Sequence, residues 1–204
     1  MIIKHAEFVT SVGKREQIVN RTVPEIVVSG KSNCGKSSFI NALCGSGGLA
    51  RTSKSPGATR LINYFCAKLA EKGAVPPQER QFYLVDLPGY GFAKVSDTEK
   101  EKWSELIEAY FAEKPPIKCV MLLLDARHDP SAEDITMVNF LYQMQLPMVV
   151  VGTKIDKLNR SEIEKRRVAL ATAFRQVPSN IFMVSSDKKL GFGTVTQKIS
   201  EILG

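Results

Sequence analysis

From Gly30 to Ser37 the chain reads GKSNCGKS: a glycine, four spacers, a second glycine, a lysine and a hydroxyl side chain. That spacing suits phosphate. Gly30 and Gly35 let the backbone curl through Lys31, Ser32, Asn33 and Cys34, so that successive N–H groups point into one concavity. A helix opening at Lys36, Ser37 and Ser38 adds the positive end of its dipole. Lys36 is placed to reach the β- and γ-phosphates, and Ser37 to offer its hydroxyl to Mg²⁺. An apolar run, EIVVSG, leads in, and SFINALC leads out with helical spacing. The pattern implies a nucleoside triphosphate without saying which one.

Three further segments bear on metal and base. Asp86, Leu87, Pro88 and Gly89 follow the run FYLV, so a carboxylate emerges at a strand's carboxyl end. There Asp86 can hold Mg²⁺ through water, and the Gly89 N–H can sense a γ-phosphate. Thr153, Lys154, Ile155 and Asp156 follow PMVVVG. The Asp156 carboxylate can accept from the ring N–H and the exocyclic amine of guanine, a donor pair that adenine lacks on that edge. The Lys154 stem can lie across the base. In the loop of Ser185, Ser186 and Asp187, the Ser186 N–H can meet guanine O6. Four elements in this order favour GTP and GDP over ATP. In KSPGATR, Thr59 is the candidate second Mg²⁺ hydroxyl, with Thr52 and Ser55 as rivals; Gly57, Ala58, Arg60 and Leu61 complete that nucleotide-facing loop. Residues 46–60 and 87–97 are then the two switches. Lys36, Thr59, Gly89 and Asn33 are the candidate catalytic groups.

These groups need strands to present them. Runs at 25–30, 82–87, 118–126, 147–153 and 180–186 are rich in Val, Ile and Leu, as parallel strands buried on both faces are. The more mixed run 61–70 suits an edge. Helices are expected after Ser96 with Glu99 (Trp103, Leu106, Ile107, Tyr110 and Phe111 inward), after Ser131 with Asp134 (Ile135, Val138, Leu141 and Met144 inward) and after Ser161 with Glu164. Val195, Ile199, Ile202 and Leu203 mark the last helix. The alternation predicts a three-layer, doubly wound α/β domain. Its sheet is mostly parallel, with the 61–70 run at an edge and helices on both faces. One GTP-binding domain over 1–204 is expected, with 1–23 as an N-terminal extension packed on it.

The chain's 204 residues carry a net charge of +7, which suits either an acidic partner such as nucleic acid or a membrane surface, or simply a solvated basic surface. Two basic patches compete: the 164–170 run with Lys188 and Lys189, and Lys14, Arg15, Arg51, Lys54 and Arg60. Cys34, Cys44, Cys66 and Cys119 form no C-x-x-C pair, which points to reduced thiols. With no signal-peptide core and no run of membrane-spanning length, a cytoplasmic protein is expected. Of the two histidines, His5 and His128, the second is read as a surface residue; Trp103 is read as core, and Asp125 as having a structural hydrogen-bond role.

GKSNCGKSSFINAL, SKSPGATR, DLPGYGFA, TKID and the serine pair with Asp187 together resemble the EngB (YihA) family of bacterial GTPases; DLPGYG and LLLDARHDP (122–130) are its more specific parts. The resemblance runs from about Pro24 to the C-terminus. It implies a P-loop GTPase (Ras-like) fold, whose mostly parallel six-stranded sheet has one antiparallel edge strand, together with Mg²⁺, slow intrinsic hydrolysis and a role in assembling the large ribosomal subunit, linked to cell division and septation. The implied partner is a large-subunit precursor, with no DNA, no integral membrane association and a monomeric protein. Lys31, Ala58, Arg60 and Ser186 depart from common family residues, and none of these departures removes a side chain assigned to Mg²⁺ or guanine. A signalling GTPase acting on protein or membrane is the rival reading. Where better-known GTPases carry a water-positioning glutamine, this chain has Tyr90, whose phenol is too weak an acid to serve as a base. Either a partner inserts a catalytic group, or a monovalent cation supplies the charge. For the second, Asn33 resembles the K⁺-binding asparagine of other GTPases; the plain alternative is that it only tolerates the turn.

Overall fold

The inner strands follow from composition: runs of Val, Ile and Leu with no polar alternation can only be satisfied by cover on both faces. The computed structural model describes residues 1–18, 22–51, 61–71, 73, 78–91 and 97–204. In chain order these form strands β1 (Ile2–Val12), β2 (Glu25–Gly30), β3 (Ile62–Ala70), β4 (Glu79–Asp86), β5 (Ile117–Asp125), β6 (Met148–Thr153) and β7 (Ile181–Met183). The helices are α1 (Lys36–Leu43), α2 (Asp97–Ala112), α3 (Ala132–Gln143), α4 (Arg160–Ala173) and α5 (Phe192–Leu203). Among the described residues the strands make one sheet in the order β1-β3-β4-β2-β5-β6-β7. Neighbours from β4 through β7 pair in parallel, while β3 is antiparallel to both β1 and β4.

Helices cover both faces. Phe39, Ile40 and Leu43 of α1 and Val195 and Ile199 of α5 share one core with Ile26, Val28, Leu84 and Met121. Leu106, Ile107 and Tyr110 of α2, Met137, Val138 and Leu141 of α3, and Leu170 of α4 fill the other with Val27, Val85, Leu122 and Val150. The carboxyl ends of the parallel strands therefore lie along one rim, where α/β sheets bind ligands. Buried Glu25, at the opposite end of β2, accepts from the Tyr110 hydroxyl at 2.6 Å and ties α2 to the sheet. Among the described residues no helix is long and apolar enough to cross a membrane.

Most elements stand as the periodicity predicts, and the differences have physical causes. The sheet has a seventh strand, because Ile2–Val12 of the N-terminal segment pairs with β3 along its length. The 61–70 run is thus antiparallel as expected, but a further strand covers its outer edge. β4 begins at Glu79, ahead of the expected 82, because its pairing with β3 continues to Ala70 opposite Glu79. β7 ends at Met183: the Val184 N–H still donates to the Gly152 carbonyl, but the Val184 carbonyl accepts from Ile155 N–H beyond β6, and Ser185 pairs with Leu190. In α3, Ile135 and Met144 are exposed and Met137 is buried instead. The reason is Asp134: its carboxylate turns inward, so the buried stripe runs 134, 137, 138, 141 and Ile135 falls about 100° off it. The α4 cap is Asn159 with Glu162, two residues ahead of the expected Ser161 pair. Asparagine caps as well as serine, and here it comes first after the extended Leu158. Ser96, the expected cap of α2, lies outside the described residues.

Candidate functional site

The phosphate-binding pattern is a loop between β2 and α1. Gly35 stands at φ 106 ahead of α1, and Asn33 at φ 63, both left-handed. Gly35 does so at little steric cost, and asparagine tolerates the region better than most residues. A side chain at Gly30 would bring a Cβ within 2.5 Å of the Leu123 carbonyl and 2.8 Å of Cys34 Sγ. Lys36 is buried, and its Nζ donates to the Gly30 carbonyl at 3.1 Å. Burial pushes the Cys34 thiol up, which keeps it neutral inside the loop.

Asp86 ends β4 directly beside this loop. It is 1% exposed, and its Oδ1 has no hydrogen-bond partner among the described residues. Burial pushes the carboxyl up to about 6, against the opposing pull of Lys36 and a hydrogen bond from Asn63. Asn63 is the cross-strand neighbour of Asp86, and its Oδ1 accepts from Ser11 of β1 at 2.6 Å. An orphaned carboxylate oxygen facing a phosphate loop fits a hydrated Mg²⁺. Gly89 lies against the loop: a Cβ there would meet Lys36 Nζ at 2.7 Å and Ser32 N at 3.1 Å. The next residue, Tyr90, is buried; its carbonyl accepts from Ser32 N–H at 2.9 Å and its hydroxyl donates to Asp134 Oδ1 at 2.7 Å. Burial and the Asp134 carboxylate push the phenol far above its ordinary range, so it keeps its proton.

The base-reading segment lies on the other side of the loop. The Thr153 hydroxyl is within hydrogen-bond reach of two carbonyls, Cys34 at 2.6 Å and Leu124 at 3.0 Å. Lys154 Nζ donates to the Asn33 carbonyl at 2.8 Å and pairs with Asp125 Oδ2 at 2.9 Å. Burial raises the Asp125 carboxyl, but hydrogen bonds from Arg127 and Lys154 outweigh it and hold the group well below the usual range. Asp156 accepts from Ser185 Oγ at 2.7 Å on Oδ1, and Lys157 Nζ stands 3.0 Å from Oδ2. The Ser185 hydrogen bond, then that of Lys157, lowers the Asp156 carboxyl. The Ser186 and Asp187 positions follow on the same loop, which Ser185 closes by pairing with Leu190.

The structure thus brings together Gly30 to Ser38, Asp86 to Gly89, Thr153 to Asp156, and the Ser185–Asp187 loop. Leu61 is exposed beside Gly13. Gly57, Ala58, Thr59 and Arg60, with the rivals Thr52 and Ser55, lie outside the described residues. Asp125 has the structural role expected of it, and that role is specific: it anchors Lys154. Trp103 is more than core, because its Nε1 donates to the Pro88 carbonyl at 3.1 Å. Asn63 and Ser11 gave no sequence signal, since a polar pair across strands has no local spacing. Asp134 was legible only as a cap.

Comparison with known proteins bears on the family and the fold. Residues 25–154 match the family model described as 50S ribosome-binding GTPase. The chain is 41% identical over 186 residues to the Probable GTP-binding protein EngB of Exiguobacterium sp., covering 91% of this chain and 89% of that one. It is 39% identical over 204 residues to the like-named protein of Mycoplasma capricolum, covering 100% and 99%. Its fold matches a crystal structure of a probable GTP-binding protein engB with a TM-score of 0.65, at 22% identity, over 88% of this chain and 98% of that one.

Proposed function

The chain belongs to the EngB family of GTP-binding proteins, and from that premise we propose a slow GTPase that works as a switch in large ribosomal subunit assembly. Its activity would be cytoplasmic and monomeric, with a family link to cell division and septation. Residues 1–204 are read as one GTP-binding domain, with the N-terminal segment built into its sheet through β1.

The observation that carries the reading is that phosphate loop and base reader form one hydrogen-bonded unit. Lys154 spans Asn33 and Asp125, Thr153 holds Cys34, and Ser185 holds Asp156. Such a unit costs little reorganisation when a nucleotide joins its two ends. The loop N–H groups and Lys36 would take the phosphate charge, and Asp156 would hold guanine. Ser37 and Thr59 directly, and Asp86 through water, would hold Mg²⁺, which neutralises charge on the β- and γ-phosphates. The Gly89 N–H would meet the γ-phosphate. Nothing on Tyr90 orients a water, because its hydroxyl is buried and committed to Asp134. Slow turnover follows.

Affinity is tested by displacement of a fluorescent GDP. GDP and GTP should compete, and ADP and ATP should fail by on the order of 100-fold, the cost of leaving the Asp156 carboxylate unpaired. The partner is tested by sedimentation: the GTP-analogue form should travel with large-subunit precursors and the GDP form should not. Free protein in both states would remove the assembly role. The net charge of +7 supports a polyanionic partner.

For the catalytic element we propose K⁺, with Asn33 as one ligand. Hydrolysis should be at least about fivefold faster in K⁺ than in Na⁺ at equal ionic strength, a transition-state gain of roughly 1 kcal/mol. The informative variant is Asn33→Gly, because the φ of 63 would strain an alanine. It should abolish the difference between the salts. Equal rates in both salts for the wild type leave a partner-supplied group as the alternative.

A further inference from the structure

We propose that Tyr90 is a positioning residue for the phosphate switch, anchored by Asp134 and fixing where the Gly89 amide stands. Both neighbours of Gly89 are held. On one side the Pro88 carbonyl accepts from Trp103 Nε1 of α2 at 3.1 Å. On the other, Tyr90 is held twice, by Ser32 N–H on its carbonyl at 2.9 Å and by Asp134 on its hydroxyl at 2.7 Å. The Tyr90 ring stands edge-on to Trp103, with centroids 6.5 Å apart.

The anchor itself is rigid. Asp134 is 5% exposed, and its second oxygen accepts from both the N–H and the hydroxyl of Ser131, at 2.8 and 2.9 Å. Its place in the first turn of α3 adds the favourable end of the helix dipole. A carboxylate so fixed dictates where the Tyr90 hydroxyl must be. Through one peptide unit it therefore dictates where Gly89 meets Lys36 and the phosphate loop. A residue that cannot position water instead positions the backbone donor, and it links the switch to the start of α3. This inference rests on the reading of Gly89 as the γ-phosphate sensor.

The test uses the whole protein and its single tryptophan, Trp103, whose emission should differ between GDP and a non-hydrolysable GTP analogue. Tyr90→Phe keeps the ring and removes the hydroxyl. Its affinity for the analogue should fall about tenfold, the effect of one hydrogen bond to a charged group. The loss for GDP should be at least about threefold smaller, and the emission difference should shrink. Asp134→Asn should act in the same direction, and the double variant should lose no more than the worse single one. Should Asp134→Asn disturb the α3 cap, Tyr90→Phe alone decides. Equal losses for both nucleotides, or none, would mean a merely structural pair and overturn the proposal. If the wild type itself gives the same emission and affinity with either nucleotide, the sensor reading falls and the proposal with it. If the wild type discriminates and Tyr90→Phe discriminates equally, the proposal alone falls.

Discussion

Replacing Asp156 with asparagine is expected to exchange guanine for xanthine. The carboxylate offers two acceptors to the two guanine donors; an asparagine amide offers one acceptor and one donor. GDP affinity should drop on the order of 100-fold or more, about 3 kcal/mol for a charged hydrogen bond lost with its partner left unpaired. Xanthine carries a carbonyl where guanine carries the amine, so the new side-chain amide N–H₂ of the Asp156→Asn variant gains an acceptor and XDP should overtake GDP. Competition against a fluorescent nucleotide reads both. An unchanged ranking would show that Asp156 does not read the base. The same carboxylate sets a pH limit. Ser185 and Lys157 hold it below the ordinary carboxylate range. Its ionised form is therefore complete above that range and is lost only as pH falls through the lowered value. GDP binding should accordingly outlast the pH at which a free aspartate titrates.

Lys36→Ala should cost on the order of 100- to 1,000-fold in hydrolysis, as the loss of one fixed cation from the site of charge development does. It should also change the pH dependence of the nucleotide-free protein through Asp86. Burial has raised that carboxyl to about 6, above its ordinary 3.8. A raised group contributes stability that is full below the ordinary value and is lost as pH rises through the folded one. In EDTA, its share of the unfolding free energy should decline by on the order of 3 kcal/mol between about pH 4 and 7. Asp86→Asn should remove that slope. Lys36→Ala should extend it to higher pH, because Lys36 is the charge that opposes burial. Denaturant unfolding across pH reads all three proteins. A wild-type slope equal to that of Asp86→Asn would show that Asp86 titrates like an exposed carboxyl.

Much of this site can be read before any fold is known, because its parts are local. A phosphate loop needs glycine at fixed offsets between a strand and a helix, and GKSNCGKS meets that need within eight residues. The same holds for Asp86 to Gly89 and for Thr153 to Asp156, each hung on the end of an apolar run. The inner strands were legible for a related reason: burial on both faces leaves a continuous apolar signature that needs no partner to be recognised. Helix contents followed less well. The inward turn of Asp134 rotates α3 away from the stripe that counting apolar residues suggests, and Asn159 takes the cap from Ser161.

The amino-acid sequence by itself determined the class of chemistry, since phosphate, metal and guanine are each recognised by short segments whose spacing is set by covalent geometry. Tertiary structure alone decided how those segments are held. It pairs β1 outside β3, sets Ser11 and Asn63 in line with Asp86, hangs Lys154 between Asp125 and the Asn33 carbonyl, and ties Tyr90 to Asp134 across 44 positions of chain. Contacts between residues far apart in the chain leave no periodic trace, because their partners are chosen by packing and by the need to satisfy buried polar groups.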